Sequence, residues 1–254
     1  MTDLAVLAIG FGLMAIAALL LYPYREWLIA HPETSWGVLA GVVAFLGLSH
    51  AMALVLVNHK LFGDEAIATS VSVLGLVVGL LLGWWLLEKT SSRAETSRAL
   101  WAATVFVALH SLGDGIALGR DFVPGGFAPA VPADAVTISA TVLHRFFEGA
   151  LIVVPAIAAN RRPVFAWGCL SAALISIPAA YVPGWVLDIY GLTPTRSLVI
   201  TAIPTFFAAS EAVLALVLLA RVFLPAAAAS QRPRWVLWAA LGFVAISLVH
   251  FLVE

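Results

Sequence analysis

Long apolar runs alternate with brief polar breaks along the chain, and this pattern sets the expected architecture. Runs bounded by charge, Pro and Gly fall at about 4–22, 36–57, 67–87, 99–119, 135–158, 164–183, 197–220 and 235–252. Each is close to the ~20 residues a helix needs to cross the hydrocarbon core of a bilayer. None shows the strict two-residue alternation of a membrane barrel strand. The breaks are short, as in Asn160-Arg161-Arg162-Pro163 between the fifth and sixth runs. The first run, Leu4 to Leu21, lacks the basic segment and small-residue cleavage site of a signal peptide and is counted as a span. The expected fold is all-α integral membrane: a bundle of eight transmembrane helices forming a single domain over residues 1–254.

Composition narrows the function. Hydrophobic residues make up 63% of the 254 and charged residues 11%, well under the roughly 25% charged of soluble domains. A water-soluble fold is excluded, and eight spans leave no length for a sizeable soluble domain. The net charge of −1 offers no basic footprint for nucleic acid. Cys169, the one cysteine, cannot form an intramolecular disulfide. Basic residues set the expected orientation. Breaks after odd-numbered spans hold Arg25, Lys89, Arg93, Arg98, Arg161, Arg162, Arg221, Arg232 and Arg234, while even-numbered breaks hold Lys60, Arg120 and Arg196. Because Lys and Arg are retained on the cytoplasmic side, both termini are expected to be extracytoplasmic. Aromatics near span ends, among them Tyr24, Trp27, Trp36, Trp84, Trp85, Trp101, Tyr181, Trp185, Tyr190 and Trp235, suit headgroup anchors.

Against this apolar background a few ionisable residues fall at mid-span. His110 and Asp114 lie on the fourth span, His144, Arg145 and Glu148 on the fifth, and Glu211 on the seventh. Charge at that depth is costly and normally faces an interior pathway or site. A spacing of four puts His110 and Asp114 on one helix face, and likewise His144 and Glu148, so two antiparallel helices present matching pairs. Imidazole nitrogens and carboxylate oxygens are ligands for zinc and its first-row neighbours. One such pair alone would equally be a polar link between helices; two pairs plus Glu211 favour a site. Thr137 and Thr141 share a face with His144 and Glu148 and extend a polar stripe, although threonines also bond their own helix carbonyls. Gly113, Gly115, Gly119 and Gly149 are expected to let the fourth and fifth spans pack closely.

These residues resemble the ZIP (Zrt/Irt-like) family of divalent-metal transporters, in its bacterial-type branch. His110-Ser111-Leu112-Gly113-Asp114-Gly115-Ile116-Ala117-Leu118-Gly119 is similar to the family's H-N-x-x-[DE]-G-x-A-x-G pattern, and His144-Arg145-Phe146-Phe147-Glu148-Gly149 to its [HQ]-[DEN]-x-P-E-G pattern. The resemblance implies eight helices with extracytoplasmic termini and a transport site held by His110, Asp114, His144 and Glu148. It also implies a ligand from the second span, for which His50 is preferred over Met52. Arg145 replaces the carboxylate or amide of a second metal site, and Ser111 replaces the usual Asn, so a single metal is expected with Arg145 standing in for the second ion's charge. Arg145 would pair with Asp114, Glu148 or Glu211, because guanidinium stays charged when buried. Glu211 is then either a carboxylate behind the ligands or that counter-ion, and Ser111 lies beside the site. The region 88–98 lacks the histidine-rich segment common in the family.

The resulting expectation is a carrier in the plasma membrane, the inner membrane if the source is bacterial. It would move zinc first, or iron, manganese, cobalt or cadmium, toward the cytoplasm, with no prosthetic group, no enzymatic activity and a homodimer as the assembly. No phosphate-binding G-x-x-x-x-G-K-[ST] motif points to a nucleotide motor. Two alternatives use the same ligands. One is an intramembrane zinc hydrolase with Glu148 as general base, although no H-E-x-x-H motif is present. The other is a ZIP-like protein in which Arg145 blocks passage. His250, near the end of the eighth span, is read as a snorkelling interface residue.

Overall fold

The computed structural model describes residues 14–61, 65–88, 95–121, 135–173, 194–229 and 232–253. Every regular element among them is helical. Helix α1 occupies 14–21, a 3-10 turn covers Tyr22–Tyr24, and α2 is Arg25–Ala30. There follow α3 (Pro32–Leu61), α4 (Glu65–Glu88), α5 (Glu95–Asp121), α6 (Ala135–Ala158) and α7 (Pro163–Ala173). Helix α8 (Pro194–Leu218) runs through a π segment (Leu219–Phe223) into α9 (Leu224–Ala228), and α10 is Arg234–Val253. Over these residues the expected spans coincide with helices to within a few residues, apart from the seventh, which runs on to Ala228. The fifth matches α6 at both ends.

Among the described residues, four stretches are long and apolar enough to cross a membrane: Pro32–Met52, Glu65–Glu88, Thr205–Ala228 and Arg234–Leu252. The chain is thus an all-helical protein with the composition of a membrane protein. Helices α5 and α6 are also long, and they carry His110, His144, Arg145 and Glu148. Most of the first span and the second half of the sixth lie outside the described residues, as do Tyr181, Trp185 and Tyr190 and part or all of the second, third, fourth, sixth and seventh breaks.

Because lipid is as apolar as a leucine side chain, helices in a bilayer associate through close packing and polar contacts rather than through hydrophobic burial. Helix α4 illustrates this. Gly75, Gly79 and Gly83 recur every four residues on its buried face. A methyl group added at Gly79 would strike the Ser210 carbonyl of α8, and one at Gly75 the Phe206 carbonyl. Elsewhere on α4, Val73, Val77, Leu80, Leu81 and Trp84 are exposed, as a lipid-facing surface should be. Helix α3 packs on α10 in the same manner, with Gly41 against Ala239 and Gly242 against Val38. Gly149 differs from its expected role: its close neighbour is Met14 of α1, so it seats α6 on α1 rather than on α5. The surroundings of Gly113, Gly115 and Gly119 lie outside what the structure describes.

Two further expectations change. Trp36 is not an interfacial anchor; it is 5% exposed and packs on Phe223 at 5.8 Å. Tyr24, Trp27, Trp84, Trp85 and Trp101 are exposed as anchors should be. Arg221 is not in a break, because the helix continues past it to Ala228. Pro225 accounts for the local form: it has no N–H for a bond to Arg221 and its ring crowds that carbonyl. The preceding turn widens into π geometry, where the Leu224 N–H reaches back to the Leu219 carbonyl.

Candidate metal centre

Apart from Asp114, whose side chain lies outside the described residues, the mid-span ionisable residues meet at one place and are joined there by His50, so that four helices contribute. His50 comes from α3, His110 from α5, His144, Arg145 and Glu148 from α6, and Glu211 from α8. The two carboxylates are the deepest members, each 2% exposed, with His110 at 7% and Arg145 at 8%. The four-residue repeat on α6 sets His144 directly over Glu148, with His144 Nε2 at 2.8 Å from Glu148 Oε1. Across the α5–α6 contact, His110 Nε2 lies 3.2 Å from the same oxygen. On its other side, His110 Nδ1 is 3.0 Å from Glu211 Oε2, which also stands 2.9 Å from His50 Nε2. The His50 ring is steered by the α3 backbone, its Nδ1 lying 2.7 Å from the Leu46 carbonyl.

Two groups with metal-ligand composition therefore occur among the described residues, His110–His144–Glu148 and His50–His110–Glu211, and they share His110. A tetrahedral zinc with bonds near 2.0–2.1 Å holds its ligand atoms about 3.3 Å apart. The nitrogen–oxygen separations of 2.8 to 3.2 Å fall at or somewhat below that spacing, and all ligand atoms of each group lie within 4.8 Å of one another. Glu148 Oε1 is buried against both imidazoles, and His144 Nδ1 is buried with no hydrogen-bond partner among the described residues. An ionised oxygen buried there needs a hydrogen-bonding or charged partner: an imidazole N–H turned toward it is one, and a cation held between the oxygen and the two imidazoles is another. With neutral histidines the described cluster carries two carboxylate charges and one guanidinium, a net negative balance suited to a cation.

Arg145 donates from its NH1 nitrogen to Glu148 Oε2 at 2.7 Å. Among its expected partners Glu148 is engaged, and the guanidinium occupies the carboxylate oxygen turned away from the histidines. Glu211 is not its counter-ion but sits between His50 and His110. Ser111, fully buried beside the cluster, leaves its hydroxyl without a hydrogen-bond partner among the described residues. Met52 is exposed, in keeping with the preference for His50. For Asp114, Thr137 and Thr141 the helical backbone is described but the side chains lie outside the described residues.

One neighbour was missed. The half-buried His250 of α10 stacks on His144, with ring centroids 6.0 Å apart and planes 21° apart, and meets Phe45 edge-on at 5.2 Å. It joins the histidine row rather than the membrane interface. Its position becomes clear only from the packing: His250 is four residues beyond the buried Ile246 and eight beyond Gly242, on the face of α10 that packs inward.

No family model matches the chain, and no curated protein matches it. The ZIP-like likeness thus rests on the two sequence motifs alone.

Proposed function

We propose that the chain is a carrier of divalent metal ions, zinc first among them, with its transport site at the His50, His110, His144, Glu148 and Glu211 cluster. The observation that carries this reading is Glu148 Oε1, a buried carboxylate oxygen set between two imidazole nitrogens at 2.8 and 3.2 Å. Asp114 joins the ligands by the motif likeness. In this reading all eight spans cross the plasma membrane, both termini face outward, and metal moves toward the cytoplasm as helices rock about a midplane site. Because the two ligand groups share His110, a single ion passes from one to the other by exchanging partners around that imidazole. The proposal is tested by zinc, iron, manganese and cadmium uptake into proteoliposomes. Saturable flux that disappears in His144→Ala is expected; flux unaffected by that change would refute a carrier working through this cluster.

The Arg145–Glu148 contact favours one second reading. A guanidinium bonded to the central carboxylate is a fixed cation on the path, which suits a protein that holds metal without passing it. Stoichiometric bound zinc with no flux, restored to flux by Arg145→Asp, would select that reading over the carrier.

A further inference from the structure

A second polar feature lies at one end of the bundle, away from the metal cluster. A cavity of about 350 Å³ is bounded by the start of α3, the end of α4, the start of α5, the π segment and α9, and it is lined in part by the side chains of Arg98 and Arg221. The remaining lining is apolar, with Trp36, Leu87, Val222 and Pro225 among it. Arg98 Nε is buried and has no hydrogen-bond partner among the described residues. Among those residues no carboxylate lies within ion-pair distance of either arginine. The contrast with Arg232 at the same end is direct, since its NH1 nitrogen is 2.9 Å from Glu33 Oε1. Arg161 adds to the basic character nearby, reaching the Ser97 hydroxyl at 3.5 Å.

Two like charges beside a largely apolar cavity repel, and the buried part of Arg98 is poorly solvated, so the arrangement favours an anion between them. Guanidinium forks match phosphate oxygens in geometry and keep their charge in such a setting. The π segment strengthens the case. Arg221, an exposed residue, lies in this segment and lines the cavity beside Val222, and such local π turns recur at functional sites. The apolar walls beside the charges suit a ligand that carries hydrocarbon next to its phosphate.

We infer that the cavity is a phosphate-binding site, in which Arg98 and Arg221 hold a phosphate group presented either by an anionic phospholipid headgroup or as free phosphate. The site is independent of the metal cluster and stands or falls without it.

The test uses the full chain in detergent, with native mass spectrometry and thermal unfolding as readouts. Phosphatidylglycerol, diacylglycerol with the same acyl chains, and sodium phosphate are titrated separately. At about 1 kcal/mol per basic residue, Arg98→Gln and Arg221→Gln should each weaken phosphatidylglycerol binding about fivefold, and the double variant about thirtyfold. Arg234→Gln, an exposed arginine at the same end, should change it less than twofold. A lipid source is indicated when phosphatidylglycerol outcompetes diacylglycerol and sodium phosphate has no effect; a free-phosphate source is indicated when sodium phosphate alone binds and both arginines are needed. The inference is overturned if phosphatidylglycerol and diacylglycerol bind alike and phosphate does not bind, or if binding survives in the double variant. If that variant does not fold, the two single variants decide in the same way.

Discussion

Two helix contacts at membrane depth are built in opposite ways. The α4–α8 contact is made of backbone, with glycines every four residues letting carbonyls and Cα atoms touch. The polar exception is the Ser210 hydroxyl, which donates to the Gly75 carbonyl at 3.0 Å. The α5–α6 contact is made of side chains, with His110, His144 and Glu148 reaching across the gap. The first leaves no space and stores no charge. The second keeps polar atoms apart by their own size and concentrates charge where a bilayer offers none. Closeness gives a fixed scaffold, whereas ionisable side chains at hydrogen-bond range give a place whose occupancy can change.

The largest effect expected from breaking this contrast falls on the scaffold. Gly79→Leu has to displace the backbone of α8, and overpacking against backbone should cost about 3 kcal/mol or more. Denaturant unfolding in detergent should show it as a large loss of midpoint. Leu80→Ala, one residue away on the exposed face, should stay within about 0.5 kcal/mol. Equal midpoints for Gly79→Leu and the parent would mean that the two helices are not closely packed.

On the other contact a change of similar size should fall on metal affinity instead. His110 belongs to both ligand groups, so His110→Ala is expected to weaken zinc binding by about a hundredfold, or about 2.7 kcal/mol. The folded yield should change little by comparison. Calorimetric zinc titration checks this, and an affinity within threefold of the parent would show that the cluster is a structural link between helices and not a site.

Acid should produce a smaller, graded version of that loss. Coordinating imidazoles must be neutral, and an ordinary histidine protonates near pH 6.5. Acidification adds protons to the metal-free form and competes with the ion, so affinity should fall by at least about tenfold between pH 7.5 and 5.5. It should recover on return to neutral pH. A profile flat across that window would argue against histidine ligation.

The contrast also explains what could be read in advance. Spans α3 to α6, α8 and α10 are visible as hydropathy because a bilayer-crossing helix must be apolar along nearly its whole length. For the same reason they conceal which face points inward: Gly75, Gly79 and Gly83 mark it on α4, but α10 is apolar all round and little distinguishes His250 from an end residue. The His144–Glu148 repeat was legible because four residues is about one helical turn. The partners of Glu211 were not, because His50 and His110 reach it from other helices, and no local spacing encodes that meeting. Trp36 and Arg221 were misassigned for a related reason. Proximity to a span end says nothing of a neighbouring helix that covers the residue, or of a π turn that carries the helix onward.

His250 offers the finest test of where the charged contact ends. Its ring lies over His144, which itself faces Glu148 Oε1, so it bears on the site through one intermediary. His250→Phe keeps an aromatic ring against His144 and Phe45 and removes the nitrogens. If His250 serves only to pack the row, zinc affinity and uptake should be unchanged and stability slightly altered at most. If its nitrogens help a metal reach or leave His144, uptake should fall about threefold with little change in stability, an effect on the order of 0.6 kcal/mol. The second outcome is expected, because two histidines stacked beside a buried carboxylate extend the ligand row toward the end of α10. A loss seen in His250→Ala but absent in His250→Phe would instead assign the residue to ring packing alone, and would confine the working site to α3, α5, α6 and α8.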